Sequence, residues 1–382
     1  MSQFIGSAND EKKVEYIELI FDLIFVYIVG RNNSLLHSVE NGFISADIYL
    51  TYILTTLIAL HIWYFTTIFI NRHGSGGAAE YIGLFITMYL LYYMADGTRV
   101  DWQDYYVRYN TAWALIMLNL AVQYMIKLKK NGGLRPWEDA QIKKDIRNLI
   151  IEAAVIFASI PLFFAIKIPL SPVAMIFGVA AAAMTRRANL LRPMDFSHLT
   201  ERVMLYVVFS FGEMIIGISG YFEGGINLNN IYFSTMSFLI VTGLFLSYGF
   251  VYDHLIDREK RTSGSGYMII HVFLITALNN LTVALEFMRE PQISAMPKNI
   301  FLVASFLVYF MFLFLLENYS KEELRASGKF YIKLIVSAAA FTALMALFYQ
   351  SGRISIAVTV AFVFSVYVIL RLFEKNKKAA VI

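Results

Sequence analysis

Cysteine is missing from this 382-residue chain, and charge is scarce, with Asp, Glu, Lys and Arg together at 16%. The first absence excludes disulfides, a thiolate nucleophile and any cysteine-ligated metal. The second sets the chain apart from soluble domains, where roughly a quarter of residues are charged. No P-loop, no His-Glu-x-x-His and no nucleophile elbow can be found, which removes the familiar soluble catalytic fingerprints. Gly74-Ser-Gly-Gly77 joins two apolar runs and reads as a turn, not a phosphate cradle. The polar start, Met1 to Lys13, lacks the apolar core of a signal peptide, so the first span is expected to serve as an uncleaved targeting signal. Alternation of apolar and polar residues is absent too, which argues against a membrane barrel.

What the chain does have is 58% hydrophobic residues, with 32 Phe and 24 Tyr. Long apolar runs ending in aromatic belts imply an all-α, polytopic membrane helix bundle. A bilayer core takes about 20 residues per helix. That template gives twelve spans, at 16–30, 47–70, 79–96, 107–126, 148–166, 171–185, 201–220, 231–252, 267–287, 300–316, 331–349 and 354–373. The sixth is the weakest, being short, Ala-rich and preceded by Pro169 and Pro172. With both termini cytoplasmic, 25 of the 32 Lys and Arg fall inside, as the positive-inside rule requires. The location expected is therefore the cell (inner) membrane, multi-pass. The basic stretch Lys127–Arg147 reads mainly as a topology determinant that could also touch anionic lipid; without a recognition motif it does not suggest nucleic acid.

Six spans precede residue 190 and six follow, so 1–190 and 191–382 are expected as two halves, parallel pseudo-repeats related by an axis along the membrane normal. Each half opens on a helix with a Glu at its cytoplasmic end, Glu18 and Glu201.

Two groups of polar residues stand out against this apolar background. Glu18 and Asp22 share one face of the first span at i, i+4, and Glu15 extends that face. Each carboxylate costs roughly 2.5–3.5 kcal/mol in hydrocarbon and so calls for an ion site, a proton relay or an ion pair. In the seventh span, Arg202, Tyr206, Ser210 and Glu213 are spaced by 4, 4 and 3, again one helix face, with His198 and Glu201 just before them. If spans 1 and 7 meet, Arg202 reaches Glu18 or Asp22 and locks the halves together. Glu213 lies roughly 18 Å deeper than Glu201 at 1.5 Å per residue. It has no basic neighbour in sequence at that depth and is expected to bind a proton or cation. Gly212, Gly217 and Gly220 are expected to thin this helix for close packing.

His61, His271 and Asn279 read as hydrogen-bonding packing residues, though Asp22 and Glu213 could complete a metal site with the two histidines. Glu152 and Glu317 are placed near cytoplasmic helix ends, within reach of water. Asp96, Asp101 and Asp104 crowd an outer loop beside Trp102.

Glu18-Leu-Ile-Phe-Asp22-Leu-Ile-Phe-Val26 resembles the opening signature of the low-temperature-requirement A (LtrA) family of bacterial membrane proteins. His198-Leu-Thr-Glu201-Arg202 with Gly212-Glu213 is similar to that family's second signature, and Asn71-Arg72 to a third element. Val203-Met-Leu-Tyr206 stands where the family has a Gly-Leu-Phe run. The resemblance implies a multi-pass membrane protein and supports the choice of residues, but it implies no settled activity.

The sequence therefore points to a transporter or channel for an ion or small solute, with Glu18, Asp22, Arg202 and Glu213 as binding groups. Glu15, His61, His198, Glu201, Ser210, His271 and Asn279 support them. The rival is a non-transporting scaffold, sensor or lipid-binding protein in which the charges only fix packing; an intramembrane enzyme is disfavoured. Neither a metal nor a cofactor is specified.

Overall fold

Apolar runs of this length leave backbone groups with no partner but their own helix, and helices are what forms. A computed structural model describes residues 13–96, 102–130, 136–184, 193–222 and 227–379. Within them the first six helices are α1 (Tyr16–Leu36), α2 (Ala46–His73), α3 (Ala78–Asp96), α4 (Trp102–Lys130), α5 (Pro136–Ile166) and α6 (Ser171–Met184). The second six are α7 (Phe196–Ile218), α8 (Leu228–Phe250), α9 (Ser265–Arg289), α10 (Ala295–Leu315), α11 (Gly328–Phe348) and α12 (Gly352–Ala379). Eleven are long and apolar enough to cross a membrane, and α6, at 14 residues, is shorter than a full span. The chain is a multi-pass, all-helical membrane protein.

Local chemistry sets several boundaries. Asp195 caps α7 by accepting from the His198 backbone N–H at 3.0 Å, and Asn227 caps α8 through Asn230 at 2.9 Å. Asn41 and Gly42, both at positive φ, turn a small hairpin, β1 (Val39–Glu40) with β2 (Phe43–Ile44), between α1 and α2. Gly42 also accepts from the Ser294 backbone N–H at 2.8 Å, which ties the hairpin to the start of α10. The side chains of Asp96, Asp101, Trp102 and Asp104 lie outside what is described.

Helix α1 packs against α2, α3, α7 and α9. Its contacts with α7 climb together, from Glu18 and Asp22 at Arg202 to Gly30 at Glu213. Those with α9 do the same, from Asn33 at Asn279 to His37 at Glu286. Helices α1, α7 and α9 therefore run parallel and share one seam. Gly217 and Gly220 face α9, where an added Cβ would fall 2.5 Å from Glu286 Oε1 and 2.8 Å from an Arg289 Nη atom. Gly212 does not thin an interface as expected, because nothing lies within 4 Å of where its Cβ would be.

One reading fails on helix length. Glu152 does not reach water at a helix end: α5 begins at Pro136, so Glu152 sits well inside it, 1% exposed. Glu317 lies at the end of α10, bonded to the Tyr331 hydroxyl and the Ala326 backbone N–H.

Candidate functional site

The part of the seam near the N-terminal ends of α1 and α7 holds a dense charged cluster. Arg202, 0% exposed, donates from Nε to Asp22 Oδ2 at 3.0 Å and from Nη2 to Asp22 Oδ1 at 2.8 Å. Such a fork-on-carboxylate grip fixes both orientation and charge. Its Nη1 donates to Glu18 Oε2 at 3.1 Å, and Trp63 of α2 donates from Nε1 to Asp22 Oδ1 at 2.9 Å. His198 Nε2 lies 3.3 Å from Glu18 Oε2, off the line of a good hydrogen bond.

The histidine's tautomer follows from its other side. Asn71 exchanges two bonds with the Asp195 backbone, accepting from its N–H at 3.1 Å and donating to its carbonyl at 2.9 Å. With the amide so oriented, Asn71 Nδ2 also points at His198 Nδ1, 3.1 Å away, which must then accept. The proton is left on Nε2, facing Glu18. Two carboxylates and one guanidinium leave one negative charge over in a cluster no more than 3% exposed.

Above this cluster the seam stays polar. The Tyr206 ring packs on Trp63 at 4.7 Å between centroids, and its buried hydroxyl has no protein partner among the described residues. Ser210 donates to the Tyr206 carbonyl at 3.1 Å. Glu213 is half-buried and fits against Gly30 of α1, where a Cβ would lie 2.6 Å from its Oε1. Asn32 donates to Thr56 at 3.3 Å and Asn33 to Asn279 at 3.5 Å, while the Oδ1 atoms of both asparagines are buried without a partner among the described residues. Glu286 comes next, within electrostatic reach of Glu213 and 3.1 Å from His37 Nε2.

The structure thus brings Glu18, Asp22, His198, Arg202, Ser210, Glu213 and Asn279 onto one seam. It leaves four others off. Glu15 precedes α1 and accepts from the Tyr81 hydroxyl at 2.7 Å, and Glu201 is exposed. His61 bonds Glu152 at 2.6 Å, and His271 lies 3.2 Å from the Tyr248 hydroxyl and 2.9 Å from the Tyr267 carbonyl. Trp63, His37 and Glu286 belong to the seam and were not singled out from the sequence; Asn71, noted there only as part of a motif, belongs to it too. For Glu286 a signal existed, since it follows Asn279 by two turns on one helix face. Among the described residues no group of three or more His, Asp and Glu could hold a metal ion.

His37, beyond the end of α1, supplies a pH dependence. The Glu286 carboxylate beside it holds its pKa above the ordinary value, with a smaller push from Glu290, opposed by desolvation and Arg289. Because the folded value is the higher one, the stabilisation is complete below about pH 6.5. It is lost as pH rises through the raised value. The melting temperature should fall modestly between about pH 6 and 8, and His37→Gln should flatten that slope. A slope unchanged by the substitution would contradict the pairing.

The chain belongs to the family described as bacterial low temperature requirement A protein (LtrA), whose family model matches residues 13–366. No curated protein matches it.

Proposed function

We propose that this membrane protein carries protons along the α1–α7–α9 seam, from the cluster at Glu18 and Asp22 to Glu213 and on to Glu286 and His37. The observation that supports it is the run of buried polar groups joining two sets of membrane carboxylates. A structural lock needs only Arg202 and its acidic partners. It has no use for the oxygens of Tyr206, Asn32 and Asn33, which protein atoms leave open for water.

Charge balance supports a proton as the cargo. Asp22 and Arg202 neutralise each other, so Glu18 carries the odd charge. The N-terminal end of α1 offsets part of it, and a proton shared by Glu18 and the His198 side offsets the rest. Arg202 then holds the geometry, and Glu18 and Glu213 bind and release. In this reading both termini and the Lys127–Arg147 stretch face the cytoplasm, with basic side chains available to anionic lipid. A single Cys at exposed Lys143 in this Cys-free chain should resist an impermeant thiol reagent in intact cells; ready labelling there would reverse the orientation.

Gly30→Val tests the seam without altering a charge. Its side chain would occupy the space of the Glu213 carboxylate, which must swing away. Proton flux into reconstituted vesicles should drop several-fold with the melting temperature little changed. Undiminished flux would take the path away from Gly30 and Glu213.

A further inference from the structure

A second pair of ionisable groups lies inside the bundle, away from the seam. His61 Nε2 of α2 meets Glu152 Oε1 of α5 at 2.6 Å, with the residues 4% and 1% exposed. Space for the pair comes from Gly178 of α6, where a Cβ would fall 2.6 Å from Glu152 Oε2 and 2.8 Å from His61 Cε1. Ionisable groups at this depth are costly and ask for a role.

The pair separates two cavities, one with charged side chains in its wall and one without. On one side Glu152 lines a cavity of about 40 Å³ together with Arg72, Asp145 and Asn148, toward the end proposed to be cytoplasmic. On the other, His61 lines a cavity of about 140 Å³ whose walls are apolar, among them Leu57, Met175, Val179, Val272 and Phe273. Tyr64 borders both. The apolar cavity sits between α2, α6 and α9, and Val179 and Phe273 on its rim are 45% and 40% exposed on the lipid side of the bundle. Its size is close to the ~150 Å³ of an apolar protein cavity that takes up benzene.

We propose that the His61–Glu152 pair and this cavity form a binding site for a lipid-soluble phenol or quinol-type ring. The ring fills the apolar cavity, entering from the bilayer. The Glu152 carboxylate accepts from His61 Nε2–H, which leaves Nδ1 with its lone pair for a ligand. Nδ1 accepts a hydrogen bond, so the matching ligand carries a hydroxyl and not merely an apolar chain. The smaller cavity, with Arg72 and Asp145 in its wall, lies behind Glu152 on the far side of the pair from the ring. No redox step is part of this proposal.

The test uses the full chain in nanodiscs and a fluorinated alkylphenol, followed by its ¹⁹F resonance beside the same compound as its methyl ether. A saturable bound line is expected, with the phenol at least tenfold tighter than the ether. Val179→Trp or Met175→Trp, which fill the cavity from its lipid-facing rim, should abolish it without lowering the melting temperature. The double variant His61→Gln, Glu152→Gln should bind phenol and ether alike. Equal binding of the two compounds by the unaltered chain would mean that the cavity takes any apolar chain, and would overturn the proposal. So would a bound line that persists in both filling variants. Because the readout is binding, its outcome is separate from that of the proton-flux experiments.

Discussion

Glu213→Gln is expected to cut proton flux in reconstituted vesicles by tenfold or more while leaving the fold intact. Gln keeps the size and hydrogen-bonding capacity of Glu but cannot gain or lose a proton in the working range. The carboxylate is half-buried, stands against Gly30 and feels the Glu286 charge, and among the described residues no ion pair ties it to the scaffold. Folding therefore loses little, and the Glu286 repulsion is even relieved. Flux with unchanged size and pH dependence in Glu213→Gln would remove this residue from the path.

The largest effect on stability is expected at Arg202. Arg202→Gln leaves Asp22 and Glu18 buried without their cation, and breaking such a pair from one side costs about 3–5 kcal/mol. Asp22 receives two of the guanidinium's three arms, so the coupling should be strongest there. Asp22→Asn combined with Arg202→Gln should be milder than the sum of the single changes, as measured by thermal unfolding in detergent. Strict additivity would contradict the geometry. Glu18→Gln should behave differently from Asp22→Asn. It removes the odd negative charge and keeps an acceptor for Arg202, so it should cost little or even stabilise. Equal losses from the two substitutions would contradict the division of charge between them.

Much of this arrangement was legible in the sequence because helices in lipid obey simple periodicities. The i, i+4 spacing of Glu18 and Asp22 and the 4, 4, 3 spacing from Arg202 to Glu213 each set a face, and matching depths brought the two faces together. Apolar run length located eleven crossing helices and marked α6 as the weak one. What spacing along one helix cannot give is which neighbour each face meets. Trp63 gives no signal of its role in the sequence, because nothing in α2 reveals that it sits opposite Asp22. Glu152 was placed near water because the hydropathy window began at residue 148, whereas the polar turns from Pro136 are already helical and carry it inward to His61. His37 and Glu286 meet only because α1 and α9 run parallel, a fact of packing and not of local sequence.

The central claim is that protons cross by this seam, and a pH-sensitive dye trapped in vesicles containing the full chain tests it most directly. An outward-to-inward proton gradient is imposed in a buffer of large, impermeant ions, with the membrane potential clamped. The account predicts internal acidification well above that of protein-free vesicles, persisting when sodium and potassium gradients are absent. Acidification no faster than in protein-free vesicles, with the chain shown to be folded and inserted, would contradict it and leave the charged cluster as a lock between helices.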